Sequence, residues 1–190
     1  MSVRKLTFCA TCVALSVVTG FIRIFEFPFG GSVTLCAMLF IVLPAWFYGP
    51  AYGAASGLIY GLIKFAFSPY FVTLPQFLFD YIFAFVSMCV AGFFRDRKNG
   101  LITGYALAVT ARWIMASIAG LIWVSLGSTA WEGWAPLPYS MAYNASYIFT
   151  EGAVTVFLLL IPAVRKALEK VKELSALNTK GGKDGLQKEA

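Results

Sequence analysis

Apolar residues fill six long stretches of this chain, and the short segments between them contain charged or turn-forming residues. The stretches cover residues 6–24, 33–49, 51–67, 75–94, 101–126 and 138–164. A helix of about 20 apolar residues is long enough to cross the hydrocarbon core of a bilayer. The pattern therefore predicts an all-α, polytopic membrane protein with six transmembrane helices.

Basic residues indicate how these helices are oriented. If the chain crosses six times, one side of the membrane receives Arg4, Lys5, Arg95, Arg97, Lys98, Arg165 and Lys166. Lys and Arg are enriched in cytoplasmic loops, so both termini are predicted to be cytoplasmic. We expect residues 1–164 to form a single membrane domain and residues 165–190 to form a Lys-rich cytoplasmic tail.

Composition supports the membrane assignment and excludes several functions. Hydrophobic residues make up 59% of the chain and charged residues 13%, which is far from the composition of a soluble domain. The net charge of +6 follows from the orientation signal and the tail, so no nucleic-acid partner is expected. The sequence has no histidine and no P-loop, and its four cysteines lie in apolar stretches, so no metal site and no cofactor are predicted.

Small residues recur at helical spacing in two of the stretches. From the end of the second stretch through the third, a glycine returns every four residues, at Gly49, Gly53, Gly57 and Gly61. Small residues at this spacing let two helices approach closely, so we expect tight packing within the bundle. Ala10 and Ala14 form a shorter pattern of the same kind on the first helix.

Polar side chains inside the apolar stretches are the candidate functional residues. They are Lys64, Gln76, Asp80, Arg112, Asn144 and Glu151. An ionisable residue within a membrane helix is a functional-site hypothesis by default. Asp80 and Asn144 lie at similar depths from the outer ends of their helices, so we expect them to line one outward-facing pocket. Arg112 and Glu151 lie nearer the middle and are predicted to form a structural ion pair, although pairing of Arg112 with Asp80 stays open.

Aromatic residues gather at the outer ends of the same helices. They are Tyr70, Tyr81, Trp123, Trp131, Trp134, Tyr139 and Tyr143. Any single one of them can belong to the aromatic belt of a membrane protein. A carboxylate surrounded by several rings suits a flat, cationic or amino-bearing heterocycle, because each good cation–π contact contributes ~0.5–2 kcal/mol. No nucleophile or acid–base pair accompanies Asp80, so we expect binding and no catalysis.

Five motifs resemble those of a known family of membrane proteins. They are Gly57-Leu-Ile-Tyr-Gly61, Gln76-Phe-Leu-Phe-Asp80-Tyr81, Ile118-Ala-Gly120, Ala130-Trp-Glu-Gly-Trp134 and Tyr139-Ser-Met-Ala-Tyr-Asn144. Over residues 5–160 the chain resembles the substrate-binding S components of energy-coupling factor (ECF) vitamin transporters, nearest the thiamine-specific type. The resemblance implies a multi-pass protein of a prokaryotic plasma membrane that captures a vitamin. Its partners would be a transmembrane coupling protein and two ATPases, while the S component itself would hydrolyse nothing.

The resemblance also implies roles for individual residues. Asp80 matches the binding carboxylate of the family. Tyr81, Tyr139 and Asn144 match pocket residues of the family, and Trp131 and Trp134 match its loop Trp-x-x-Trp. Ala10 and Ala14 match the surface that docks on the coupling protein. We also expect Gln76, Tyr70 and Trp123 to contact the ligand.

Three positions depart from the thiamine-specific pattern. Ala116 stands where that type has a pocket histidine, Gly31 stands where its first loop has a tryptophan, and Trp123 comes one residue early. Thiamine is the first expectation for the ligand, and vitamin B6 or a hydroxymethylpyrimidine is the alternative.

Two functions of other classes stay open at this point. A membrane-embedded enzyme would use Asp80, Arg112 and Glu151, but no second acid or metal motif accompanies Asp80. A ligand-free accessory subunit would leave Asp80 paired with Arg112 and would have no outward cavity.

Overall fold

Helices account for most of the protein. The computed structural model describes residues 3–70, 72–127 and 133–187. In chain order the elements are α1 (Val3–Phe21), β1 (Arg23–Glu26), β2 (Ser32–Thr34), α2 (Ala37–Tyr48), α3 (Pro50–Phe67), α4 (Leu74–Phe94), α5 (Gly100–Ser125), α6 (Pro136–Leu160) and α7 (Pro162–Gln187). The predominantly helical architecture predicted from the sequence is confirmed.

Several of these helices are long and apolar enough to cross a membrane. Among the described residues α1, α4 and α5 qualify individually, and α6 together with Pro162–Ser175 qualifies as a fourth, broken span. The helix α2 has 12 residues, about 18 Å at 1.5 Å per residue, which is short of the ~30 Å hydrocarbon core. The count of six spans and the cytoplasmic termini therefore stay predictions.

A small antiparallel hairpin follows α1, where the sequence suggests only an outward connection. Its two strands pair Phe25 with Val33 and Glu26 with Ser32. Because residues 32–34 extend as a strand and Cys36 adopts a left-handed backbone conformation with φ 58°, α2 begins at Ala37. That start is four residues later than the apolar stretch indicates.

The glycine repeat of α3 packs against α2 and α4, as predicted. A Cβ atom on Gly57 would overlap the carbonyl oxygen of Phe85, and one on Gly61 would overlap that of Tyr81. At Gly53 a Cβ would meet Ala45 and lie 3.2 Å from the Cα atom of Cys89. Only glycine lets the backbones come this close.

The helix α4 is irregular around Asp80. It begins with Thr73, whose hydroxyl accepts a hydrogen bond from the Gln76 backbone N–H at 3.3 Å. Residues Leu78–Phe83 then form a π-helical turn, and Ser87–Phe94 tighten into a 3-10 helix. Wide turns of this kind often occur at functional sites, and this one contains the candidate carboxylate.

The chain divides into two compact units, Met1–Thr155 and Val156–Ala190. The first contains α1 to α5, the hairpin and most of α6. The second contains the end of α6 and α7, so residues 165–175, which the sequence assigns to a Lys-rich tail, are helical. The predicted boundary between residues 164 and 165 stays a prediction.

A candidate ligand-binding cavity

A cavity of about 460 Å³ lies within the first unit. Its wall is formed by side chains of α1, the hairpin, α3, α4, α5 and α6. Sites for small molecules in proteins have volumes of ~300–1,000 Å³. The cavity is therefore large enough for a one- or two-ring ligand.

Most of the residues predicted to contact a ligand line this cavity. They are Tyr70, Gln76, Asp80, Tyr81, Trp123, Tyr139 and Asn144. Trp134 is not part of the wall and is 47% exposed. Trp131 lies outside the described residues.

Asp80 presents a carboxylate to the cavity with few protein partners. The Gln76 side-chain amide donates a long hydrogen bond to Asp80 Oδ2, at 3.4 Å. Gln76 is itself held by the Val72 backbone N–H, which donates to Gln76 Oε1 at 3.2 Å. No basic side chain of the described segments lies within ion-pair distance of Asp80. The carboxylate therefore retains lone pairs for a donor supplied by a ligand.

Three cationic side chains share the cavity wall with Asp80: Arg23, which pairs with Glu26, and the more central Lys64 and Arg112. The Arg112 guanidinium lies 4.9 Å from the centroid of the Phe85 ring, and Lys64 Nζ lies 5.8 Å from the same centroid. Both residues line the cavity. The sequence does not indicate which way Lys64 faces on its helix. In the structure Lys64 lies on the same cavity wall as Asp80.

The predicted ion pair between Arg112 and Glu151 is not formed in the part of the chain that the structure describes. Glu151 is buried and accepts hydrogen bonds from the Thr34 backbone N–H at 3.1 Å, the Thr34 hydroxyl at 2.7 Å and the Met38 backbone N–H at 3.1 Å. The carboxylate thus caps the start of α2, whose first N–H groups need acceptors. Arg112 is directed to the cavity instead.

Tyr81 holds the connection between α3 and α4 at the cavity wall. Its hydroxyl donates to the Ser68 carbonyl oxygen at 2.9 Å and accepts from the Tyr70 backbone N–H at 3.2 Å. The Trp123 indole N–H in turn donates to the Tyr70 hydroxyl. Although Trp123 comes one residue early, it reaches the cavity and braces this connection.

The Asn144 side chain forms hydrogen bonds with neighbouring protein groups. Its side-chain N–H donates to the carbonyl oxygens of Ser140 at 2.9 Å and Ala116 at 3.3 Å. Its Oδ1 accepts a hydrogen bond from the Tyr147 hydroxyl at 2.6 Å. Asn144 therefore orients Tyr147, a wall residue that the sequence reading did not select.

A ladder of three tyrosines forms one side of the cavity. The Tyr139 and Tyr143 rings stack with centroids 6.0 Å apart, and the Tyr143 and Tyr147 rings meet edge to face at 5.8 Å. The three residues follow one another at intervals of four, so they lie on one face of α6. That spacing was the sequence signal for Tyr147.

Gly31 explains why the first loop has no tryptophan over the site. Its backbone N–H donates to the Tyr143 hydroxyl at 2.9 Å, and that hydroxyl donates to the Pro28 carbonyl oxygen. A Cβ atom on Gly31 would lie 2.7 Å from Tyr147 Cδ1. The hairpin is therefore seated directly on the tyrosines of α6, and they occupy the space that a larger residue would need.

The predicted docking residues lie away from this cavity. Ala10 and Ala14 are exposed on α1 and border a separate groove of about 290 Å³ between α1 and α3. Its other lining residues are almost all apolar, including Val13 and Ile59.

Apolar helices around a cavity lined by aromatic and charged side chains define a helical membrane protein with a candidate small-molecule site. Comparison with known proteins gives the family: the model of the thiamine transporter protein family matches residues 6–171. The chain belongs to this family. It is 32% identical to the thiamine transporter ThiT of Bacillus subtilis, in a match that covers 82% of this chain and 88% of that protein.

Two solved structures share the fold. ThiT from Listeria monocytogenes superposes with a TM-score of 0.68 at 21% identity and covers 84% of this chain and 96% of its own. The S component of a bacterial ECF transporter gives a TM-score of 0.59 at 20% identity and covers 86% and 95%. The resemblance drawn from the motifs is confirmed.

Proposed function

We propose that this protein is the S component of an ECF-type importer and captures thiamine. The observation that carries the proposal is Asp80, a carboxylate on the wall of an aromatic cavity that forms no ion pair within the described segments, in a chain of the thiamine transporter family. The cavity also argues against a ligand-free accessory subunit, which would have Asp80 paired with Arg112.

The chemistry of thiamine matches the groups that remain available in the cavity. Its aminopyrimidine ring carries an exocyclic amine that can donate to Asp80, and its thiazolium ring carries a permanent positive charge. Tyr139, Tyr143 and Tyr147 offer ring faces to a flat cation, a contact that contributes ~0.5–2 kcal/mol. Tyr81 and Asn144 act mainly by positioning Tyr70 and Tyr147.

Two of the three departures from the thiamine-specific pattern are partly compensated in this geometry. Trp123 comes one residue early, yet it lines the cavity and donates to the Tyr70 hydroxyl, whereas Ala116 removes a ring from the wall. Gly31 removes a ring from the first loop, yet it seats the hairpin on Tyr143. For these reasons thiamine stays the proposed ligand, ahead of vitamin B6 and a hydroxymethylpyrimidine.

Six spans with both termini in the cytoplasm are part of the proposal. Lys5 Nζ lies 5.5 Å from the Tyr48 ring centroid, and a Cβ atom on Gly49 would lie 3.3 Å from Arg95 Nη1. The start of α1, the turn between α2 and α3 and the end of α4 thus meet at one basic end. The positive-inside rule makes this end cytoplasmic, and the hairpin faces outward.

Transport would require partners that supply energy. A transmembrane coupling protein would dock on the surface that contains Ala10 and Ala14, because small exposed residues allow close helix contact. Two ATPases would hydrolyse ATP, and this chain would only bind and release the vitamin. The full assembly would reside in a prokaryotic plasma membrane.

A fluorescence titration of the purified protein tests the proposal. Trp123 lines the cavity, so a bound ring should quench tryptophan emission in the absence of ATP. Thiamine, pyridoxine and hydroxymethylpyrimidine should be titrated separately. We expect saturable binding, tightest for thiamine.

The result that would overturn the proposal is the absence of saturable binding for all three compounds by both fluorescence and calorimetry. Tightest binding of pyridoxine or hydroxymethylpyrimidine would keep the S-component role and replace the ligand.

A further inference from the structure

The C-terminal helix α7 has a continuous apolar face, on which Val171 and Leu174 are exposed and Val164 and Leu168 are partly exposed. Counting about 100° per residue around Val171, Val164, Leu168 and Leu174 fall within roughly 60° of it. Val171 is 45% exposed and Leu174 is 51% exposed. An apolar face of this length is unfavourable in water, so a surface or partner is needed to cover it.

The charged residues of α7 are arranged symmetrically about this face. Lys170 and Lys172 lie roughly 100° from Val171 on opposite sides, while Glu169 and Glu173 lie roughly 160° from it. Arg165 stands on the same flank as Lys172, and its Nε donates to Glu169 Oε1 at 2.9 Å. Three of the four bases of residues 162–175 thus border the apolar face, whereas Lys166, roughly 140° from Val171, lies with both acids on the opposite side.

This order of charges fits one occupant better than others. Side chains of Lys and Arg beside an apolar face can extend to lipid headgroups while their methylenes stay in the apolar layer. Acids at the opposite pole point away from a negatively charged surface. Residues 162–175 carry four basic and two acidic side chains, so attraction to anionic lipid adds to the apolar contact.

We infer that α7 lies in the plane of the membrane interface, with its apolar face in the acyl boundary and its flanking bases on anionic headgroups. The helix begins one residue after α6. A covalent link to a membrane domain keeps it close to the bilayer, so a modest intrinsic affinity is enough for binding. The sequence alone assigns this segment to a Lys-rich cytoplasmic tail. The inference differs in that the segment is a helix bound to the membrane surface.

The test uses the full-length protein in nanodiscs of phosphatidylcholine alone or mixed with anionic phosphatidylglycerol. Single cysteines replace Val171 (V171C) or Glu173 (E173C), each carries an environment-sensitive fluorophore, and the lipids include a headgroup-depth quencher. The protein without either substitution is labelled in the same way, and its signal measures the contribution of the chain's own cysteines. We expect quenching of the fluorophore at position 171 and little at position 173, with the difference larger in anionic discs.

A charge variant separates lipid attraction from apolar contact. Replacing Lys170 and Lys172 by Gln in the V171C background should lower the ratio of interface-bound to unbound α7 in anionic discs by roughly five-fold per base. Replacing Glu169 and Glu173 by Gln is the matched control and should not lower it. Thiamine binding, measured in parallel, reports whether each variant is folded.

Equal lipid quenching at positions 171 and 173 would overturn the inference. So would protection of position 171 from water without lipid quenching, since a protein surface would then cover the face. These outcomes are independent of the ligand, so the inference can fail while the proposed function stands.

Discussion

Asp80 is the residue on which the proposed ligand capture depends most directly. It is the carboxylate of the cavity wall, and its recorded hydrogen bond to Gln76 is long at 3.4 Å. A carboxylate within a membrane domain is costly to maintain unless it is paired or has a function. The protein leaves this one without an ion pair in the described segments, which suits a group that waits for a cationic or amino-bearing ligand.

Asp80→Asn should weaken thiamine binding strongly. The amide keeps the shape of the side chain but loses the negative charge, and hydrogen bonds to charged groups contribute ~1.5–3 kcal/mol. We therefore expect a roughly ten- to hundred-fold higher Kd in tryptophan-quenching titrations. Asp96→Asn removes a carboxylate that is exposed at the end of α4 and serves as the matched control. An unchanged Kd for Asp80→Asn would count against the anchor.

Lys64 should weaken the binding of thiamine, whereas Asp80 should strengthen it. Besides Arg23, which is paired with Glu26, the wall has the positive side chains of Lys64 and Arg112 against one Asp80, and a permanent thiazolium cation is repelled by both. Lys64→Gln removes one repulsion, on the order of 1 kcal/mol at intermediate dielectric, and should tighten thiamine binding a few-fold. Hydroxymethylpyrimidine, which is uncharged, should be affected less. A loss of thiamine affinity comparable to that of Asp80→Asn would contradict this assignment.

At the scale of elements, the hairpin and α6 form a unit over the cavity. The Tyr143 hydroxyl bridges the Gly31 backbone N–H and the Pro28 carbonyl oxygen, and Glu151 of α6 binds Thr34 and Met38 behind the hairpin. Opening the hairpin therefore requires breaking contacts with α6, so these bonds should control how fast a ligand leaves.

Tyr143→Phe should accelerate ligand release. It removes two hydrogen bonds of ~0.5–1.5 kcal/mol each without changing the ring ladder, so we expect a several-fold to tens-fold higher dissociation rate. Stopped-flow fluorescence with an excess of unlabelled competitor measures that rate. Tyr52→Phe, a tyrosine beside Lys5 at the other end of the first unit, is the control. Equal release rates for both variants would show that the bridge does not limit release.

Elements with periodic or turn-forming signals could be predicted, and irregular ones could not. Pro50 and Gly49 locate the α2–α3 turn, and Pro75 locates the first turn of α4. The hairpin has only four and three residues per strand, too few for a period to emerge. The π-helical turn at Leu78–Phe83 is not marked by any periodic or turn-forming signal in the sequence.

The sequence could predict which single side chains face the cavity, because each can be placed by its depth and face on one helix. Depth along a helix brought Asp80 and Asn144 to one cavity, and family motifs added Tyr81 and Tyr139. Partners could not be read in the same way: Glu151 and Arg112 match in depth, but Glu151 is taken by backbone N–H groups of Thr34 and Met38. A sequence lists side chains, and it does not show which backbone N–H groups will lie close enough to donate to a carboxylate.

For the whole molecule, the proposed binding site and the proposed docking surface use different residues. The cavity involves the hairpin and the Asp80 turn, while Ala10 and Ala14 border the groove between α1 and α3. If both proposals hold, a substitution in the groove can abolish transport without abolishing binding.

Ala10→Trp should leave thiamine binding intact and abolish uptake. A large ring on α1 prevents the close helix approach that small residues allow, while the cavity wall does not include Ala10. Uptake of labelled thiamine in auxotrophic bacteria that also express a coupling module is the measurement, with binding measured on purified protein. Leu15→Trp adds the same ring at another exposed position of α1 and should transport normally. Normal uptake by Ala10→Trp would remove this surface from the proposal.

The π-helical turn at Leu78–Phe83 has an evolutionary consequence. A turn of this kind holds about one residue more than an α-helical turn, so it is equivalent to a single inserted codon. Deleting that codon would rotate Asp80 by about 100° relative to the following half of α4 and turn its carboxylate off the wall. Ligand choice in such a chain can therefore change by one insertion or deletion, with every membrane crossing and both helix ends left in place.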